Sequence, residues 1–188
     1  MTTLPPPREA GRYRIALVCL GNICRSPVAE VVLSARIADA GLADQVEVTS
    51  SGTGTWHLGE AMDARAASTL TAAGYDGSRH AAQKFDPGSL AGLDLVLAMD
   101  GSNLADIRAT VADLTDADAD ADRVRLFRDF DPDEPGGDVP DPFYGGDAGF
   151  EEVLTMVERT AAVIATELHQ ELATDDTTRT TAPRTTAP

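Results

Sequence analysis

Cysteine and histidine are scarce in this chain, and each shortage removes a class of protein. Two cysteines, Cys19 and Cys24, in 188 residues cannot build the framework of a disulfide-stabilised secreted domain. Three histidines, His57, His80 and His169, are too scattered along the sequence to form a zinc motif, so no metal and no cofactor is expected. No apolar run is long enough to cross a membrane or to serve as the core of a signal peptide; the first, Ile15 to Leu20, is far too short. Positive charge is also in short supply. With 15 Lys and Arg against 31 Asp and Glu, the net charge is −16, which repels nucleic-acid phosphates and anionic membrane surfaces alike. The expectation is a cytoplasmic protein, with non-classical export left open, that takes neither nucleic acid nor membrane as a partner. Any anion it binds must be held by a local device.

What remains is an ordinary globular composition, 43% hydrophobic and 24% charged, at a length suited to one domain. Residues 1–12 are Pro-rich and read as a flexible arm, residues 13–172 as a single domain, and residues 173–188 as a disordered Thr/Pro-rich tail without large apolar side chains after the start. Between the ends, short β-like runs alternate with helical patterns. The strands are expected at Ile15 to Leu20, Val46 to Thr49, Leu93 to Met99 and Val124 to Phe127. Helices are expected at 27–40, 60–73, 102–112 and about 149–172. Strand and helix in repeated alternation predict an α/β protein with an open parallel sheet of four strands and helices on both faces. Ser26 suits an N-cap, Pro27 the first helical position and Gly41 a left-handed helix stop, so the crossover from the first strand into the first helix is very short.

That crossover reads Cys19-Leu20-Gly21-Asn22-Ile23-Cys24-Arg25-Ser26-Pro27. A cysteine leaving a strand just before a helix sits beneath backbone N–H groups at the positive end of the helix dipole, a cradle for a tetrahedral dianion. Gly21 and Asn22 tolerate the positive φ needed to turn amides inward, and Arg25 can fork onto two oxygens of the anion. The same electrostatics favour the thiolate of Cys19, and Ser26 is placed to donate a hydrogen bond to it.

This string resembles the low-molecular-weight protein tyrosine phosphatase family, whose fingerprint V-C-x-G-N-I-C-R-S-P is matched from Val18 to Pro27 without a gap. The resemblance runs from residue 13 to about 170 and is closest to actinobacterial-type members. It implies a flavodoxin-like fold and hydrolysis of phosphotyrosine through a covalent phosphocysteine. It also assigns Cys19 as nucleophile, Arg25 as phosphate clamp, Asn22 as organiser of the loop and Ser26 as stabiliser of the departing thiolate. The implied partner is a phosphotyrosine protein, with a bacterial tyrosine kinase as one candidate, and the chain is expected to act as a monomer.

An aryloxide leaving group needs a proton, so a positioned acid is sought. The sequence offers Asp138-Val-Pro-Asp141-Pro-Phe143-Tyr144-Gly, in which two prolines restrain Asp141; the family's acid motif falls on Asp141, with Asp138 as the rival. A bell-shaped rate profile with an acid-side optimum is the expected signature. Trp56, Phe143 and Tyr144 read as aromatic walls of a deep pocket that suits phosphotyrosine, the alternative being that Trp56 and Phe143 are core aromatics. Ile23 points the same way, since related arginine phosphatases carry a smaller polar residue there. By the resemblance Cys24 is a redox partner protecting Cys19, and a free thiol packed under the loop is the other reading. Ser51 matches a serine that hydrogen-bonds the loop asparagine, and Asp100 a position near the pocket wall. The family's bracing histidine falls on Arg79, so either His80 takes that role through a one-residue shift or the brace is lost. The run containing Asp113, Asp116, Asp118, Asp120 and Asp122 lacks calcium-loop spacing and reads as solvated surface. Two further readings stay open: an arsenate reductase, for which two cysteines are few, and a phosphate-binding module without turnover, which would need no acid.

Overall fold

The computed structural model describes residues 3–112 and 121–180. Four parallel strands, β1 (Tyr13–Cys19), β2 (Val46–Gly52), β3 (Leu95–Ala98) and β4 (Val124–Leu126), form one sheet in the order β2-β1-β3-β4. Helices α1 (Arg25–Asp39), α2 (Ala64–Ala72), α3 (Gly101–Val111) and α4 (Asp147–Thr180) connect and cover them. This is the α/β open parallel sheet expected from the alternation.

Side-chain parity decides what each face of the sheet buries. Tyr13, Ile15, Leu17 and Cys19 of β1, with Leu95 and Leu97 of β3, face α1, α2 and α4 in the larger core, where Val32, Leu33, Leu70, Val157 and Ile164 are sealed from solvent. Ala16 and Val18, with Val96 and Ala98, face α3 through Ile107 and Val111. The strands β1 and β3 are thus apolar on both faces, as a sheet covered by helices on each side requires. Because β1 has β2 on one side and β3 on the other, the chain reverses direction across the sheet at the carboxyl end of β1. That crevice is where open α/β sheets bind ligands, and Cys19 is the last residue of the strand.

The first helix begins two residues earlier than its sequence suggests. Arg25 is its first residue and Cys24, whose side chain makes no capping hydrogen bond, sits at the N-cap in place of Ser26. Pro27 still falls in the first turn, where a missing N–H costs nothing. At the other end Gly41 has φ +75°, and Gly41 N–H and Leu42 N–H donate to the carbonyls of Ala38 and Ile37, each at 3.0 Å. This is a Schellman stop, as the glycine predicts. Helix α2 starts at Ala64, later than the expected residue 60, because the Asp63 carboxylate accepts the Arg65 N–H at 2.9 Å and caps it there.

The N-terminal segment differs from the flexible arm expected. Leu4 joins the main core, Tyr13 Oη donates to the Pro5 carbonyl at 3.0 Å, and Arg8 N–H donates to the buried Asp94 carboxylate at 2.6 Å. Arg123 and Arg125 reach the carbonyls of Pro6 and Thr3. The prolines that suggested looseness remove N–H groups the segment would otherwise need to satisfy, and its carbonyls are met by arginines from β4 and the turn before it. At the other end α4 continues past 172 to Thr180, since extending an established helix costs little per residue; the last tail residues, and Asp113, Asp116, Asp118 and Asp120, lie outside the described residues. No helix among the described residues is long and apolar enough to cross a membrane.

Candidate active site

The turn from β1 into α1 wraps around the Cys19 sulfur. Asn22 takes φ +54°, the left-handed conformation that asparagine tolerates, and this aims its backbone N–H at Cys19 Sγ at 3.2 Å. Ser26 Oγ lies 3.1 Å from the sulfur and 3.2 Å from the Ser51 carbonyl, so its one proton can serve either. Cys19 is therefore a buried thiol facing donors, at the start of a helix whose first turn opens on the same point.

The Asn22 side chain spends both amide protons and its oxygen on holding the loop. Its amide nitrogen donates to Ser26 Oγ and Ser50 Oγ, both at 2.9 Å, and its oxygen accepts the Gln83 N–H at 2.8 Å. Ser50 in turn donates to Glu30 Oε2 on α1 at 2.5 Å. The sequence pointed to Ser51 as the asparagine's partner, and the structure corrects this by one residue. Successive strand residues face opposite sides of the sheet, and it is Ser50, not Ser51, whose side chain faces Asn22; Ser51 contributes only its carbonyl. The choice between Arg79 and His80 falls to His80. Its Nε2–H donates to the Asn22 carbonyl at 2.6 Å, while Arg79 is exposed.

Arg25 is 3% exposed and shares two carboxylates. Its Nη1 donates to Asp100 Oδ2 at 2.5 Å and to the Val139 carbonyl at 3.2 Å, and its Nη2 to Asp141 Oδ2 at 3.1 Å. Burial alone would favour the neutral form, but the Asp100 hydrogen bond and the charges of Cys19 and Asp141 hold the guanidinium more firmly protonated than usual. Asp100 uses its other oxygen to cap α3 through the Asn103 N–H at 2.7 Å, so the arginine is oriented by a carboxylate that is itself fixed. Asp141 faces the pocket. Asp138 does not line it and accepts the Gly101 N–H at 2.9 Å.

A cavity of about 300 Å³ opens over the loop, floored by Cys19, Gly21, Ile23 and Arg25 and walled by Trp56, Phe143 and Tyr144. These three aromatics are 71%, 37% and 92% exposed, so none is a core residue. His57 also lines the cavity, with Nδ1 2.7 Å from Glu60 Oε2. The sequence reading passed over His57, as well as Ser50 and Glu30; only its place beside Trp56 hinted at it. Cys24 is buried, and burial first, then the charges of Asp63, Cys19 and Asp141, push its thiol up to about 12. The two cysteines of one loop therefore differ in surroundings: Cys19 Sγ faces the donors Asn22 N–H and Ser26 Oγ, and burial dominates at Cys24.

The sequence profile described as low molecular weight phosphotyrosine protein phosphatase matches residues 14–174. The chain belongs to this family. Among its relatives in the phosphatase family is the low molecular weight protein-tyrosine-phosphatase of Streptomyces coelicolor, 51% identical over 148 residues, which span 78% of this chain and 87% of the relative. The low molecular weight protein-tyrosine phosphatase A of Mycobacterium tuberculosis is 41% identical over 146 residues, 77% of this chain and 84% of its own. Among solved structures, a protein tyrosine phosphatase from Entamoeba histolytica superposes with a TM-score of 0.76 at 28% identity, covering 84% of this chain and 97% of that one. The family profile therefore covers the chain from β1 into α4.

Proposed function

We propose that this chain hydrolyses phosphotyrosine in proteins, with Cys19 as nucleophile, Arg25 as phosphate clamp and Asp141 as general acid and base. One observation carries this most strongly: Arg25 bonds Asp141 while lining, with Cys19, the floor of a single aromatic-walled cavity. In the first step Cys19 Sγ attacks phosphorus, the bond from phosphorus to the tyrosyl oxygen breaks, and Asp141 gives that oxygen its proton. In the second, Asp141 takes a proton from water as the water oxygen attacks phosphorus, the P–S bond breaks, and phosphate leaves with Cys19 regenerated as thiolate. The inward N–H groups of the loop and Arg25 meet the charge on the equatorial oxygens throughout, and Ser26 meets the departing sulfur. Asn22, Ser50, His80 and Asp100 keep these groups in place. Trp56, Phe143 and Tyr144 embrace the phenyl ring, at a depth that shorter phosphoserine and phosphothreonine cannot span.

Cys24 is the redox partner of this reading. When peroxide converts Cys19 to a sulfenic acid, the Cys24 sulfur bonds to the Cys19 sulfur and water leaves. A free cysteine pair of this kind suits a reducing cytoplasm. The exposed large hydrophobic side chains among the described residues are Leu20, Trp56, Leu58, Phe143 and Tyr144, in the two loops and the turn around the cavity mouth, which supports a monomer with a single docking face. A tyrosine kinase of the same cell is a natural partner.

Hydrolysis of p-nitrophenyl phosphate and of matched phosphotyrosine and phosphoserine peptides, followed between pH 5 and 8 with chelator present, tests the proposal. Turnover of the aryl substrates alone is expected, abolished in Cys19→Ser and reduced roughly 10²- to 10⁴-fold in Asp141→Ala. Full activity in Cys19→Ser, or an inert protein that still binds phosphate, would overturn it.

A further inference from the structure

The loop that carries Asp141 has little to hold it. Phe143, Tyr144, Gly145 and Gly146 are all exposed, and Gly145 N–H merely closes a turn onto the Pro142 carbonyl at 3.0 Å. Among the described residues, the Gly149 N–H of α4 donates to the Gly146 carbonyl at 3.0 Å, and the side-chain hydrogen bonds that reach this stretch from another element come from Arg65 at the start of α2. Its Nη2 donates to the Phe143 carbonyl and its Nη1 to the Gly145 carbonyl, each at 3.1 Å. Phe143 is the residue whose own N–H donates to Asp141 Oδ1 at 3.1 Å. Asp141 is thus held from two sides, by Arg25 at Oδ2 and by the Phe143 backbone at Oδ1, and Arg65 holds that backbone.

Arg65 is in turn fixed. Asp63 takes its Nε and Nη2 at 3.1 and 2.9 Å, a bidentate fork, and the guanidinium lies over the Phe150 ring of α4 at 4.6 Å and the Phe143 ring at 5.8 Å. Asp63 also touches the other half of the machinery, since its backbone N–H donates to the Ile23 carbonyl of the phosphate loop at 2.8 Å. One short stretch of chain therefore joins the loop that carries the nucleophile to the loop that carries the acid.

We infer that Asp63 and Arg65 form a brace between these two loops, and that Arg65 is a positioning residue for proton donation by Asp141. The inference rests on Asp141 being the acid. Loss of the Arg65 side chain leaves the Asp63 N–H bond to Ile23, the phosphate loop and Arg25 in place, so it weakens the step in which a leaving group needs a proton and spares the rest. A residue that merely stabilises the fold would depress every substrate alike.

The test is a series of aryl phosphates, from dinitrophenyl phosphate, whose phenolate departs without a proton, to phenyl phosphate, whose phenolate needs one. In Arg65→Ala, kcat/KM for phenyl phosphate is expected to fall about tenfold or more, with dinitrophenyl phosphate and the inhibition constant for inorganic phosphate nearly unchanged. An equal loss across the series, or none, would overturn the inference. Should Arg65→Ala not fold, Arg65→Lys carries the test, because one ammonium cannot span both carbonyls and the Asp63 carboxylate. A selective loss for phenyl phosphate in that variant supports the brace, and an unchanged series overturns it. Asp141→Ala in the same series separates the two ideas. If it too lacks a selective loss, the assignment of the acid fails; if it shows one and neither Arg65 variant does, only the brace fails.

Discussion

A Cβ placed on Gly52 would lie 2.7 Å from the Leu20 carbonyl and 3.2 Å from the Asn22 nitrogen, both backbone atoms of the phosphate loop. Neither can move without deforming the cradle, so Gly52→Ala is expected to cost about 1–3 kcal/mol of stability and to raise the inhibition constant for inorganic phosphate, measured by competition with an aryl phosphate. The glycine is ordinary in the sequence, because it is the pairing of Gly52 with Cys19 across β2 and β1 that brings the two backbones together. Cys24 offers a second prediction at this scale. With its thiol pushed up to about 12, it is protonated at neutral pH, and its reactive thiolate fraction grows about tenfold for each pH unit below that value. Closure of the disulfide after a peroxide pulse, read by recovery with a dithiol, should therefore quicken as pH rises from 6 to 9, and Cys24→Ser should show no such recovery. Most residues at the floor of the cavity were legible because they lie in one unbroken string from Cys19 to Ser26. Ser50 and His57 were not, since they reach the loop or the cavity only after the chain has folded back, and Glu30 was not because it reaches the loop through Ser50.

Elements were legible where a residue's backbone preference dictates a boundary. Gly41 ends α1 at φ +75° with nothing within 4 Å of its absent Cβ, so the cost of a side chain there is purely conformational. Gly41→Ala is expected to lose about 1–2 kcal/mol, seen as a lower urea midpoint at unchanged slope. Boundaries set by side-chain partners were read less well. Ser26 has the chemistry of an N-cap but turns its hydroxyl to Cys19 Sγ and the Ser51 carbonyl, leaving Cys24 at the cap. Helix α2 starts after the expected residue 60, and Met62 fills the core from the segment before the Asp63 cap.

At the scale of the whole molecule, the buried Asp131 ties α4 to the segment after β4. It accepts Arg128 Nε at 2.8 Å and both Arg159 Nε and Nη2 at 2.7 Å. Burial alone would raise its pKa, but the bonds from Arg159, the Asp133 N–H and Arg128 outweigh that and hold the carboxyl well below the usual carboxylate range. A lowered folded-state pKa contributes stability that is complete above the unfolded value of about 4 and is lost as pH falls toward the folded one. Asp131→Asn is therefore expected to cost about 3 kcal/mol at pH 7, or about 6–12 °C in Tm. Thermal unfolding should show this gap constant above about pH 5 and narrowing below it. The N-terminal segment belongs to the same scale. Its docking depends on Arg8, Asp94, Arg123 and Arg125, which are far apart in sequence and meet only across the starts of β3 and β4.

The sequence by itself determined the strand and helix alternation, the parallel sheet, the loop from Cys19 to Ser26 and the Asp-Pro-Phe-Tyr segment that lines the same cavity. Each of these follows from local backbone preference, periodicity or a contiguous string. Tertiary structure decided which serine faces Asn22, whether His80 or Arg79 reaches the loop, how the N-terminal segment packs, and which residues join the loop of Cys19 to the loop of Asp141. These are contacts between residues distant in the chain, and they depend on strand parity and on the angle at which one element crosses another. A shift of one residue along a strand turns a side chain to the opposite face, and composition and spacing carry no record of that choice.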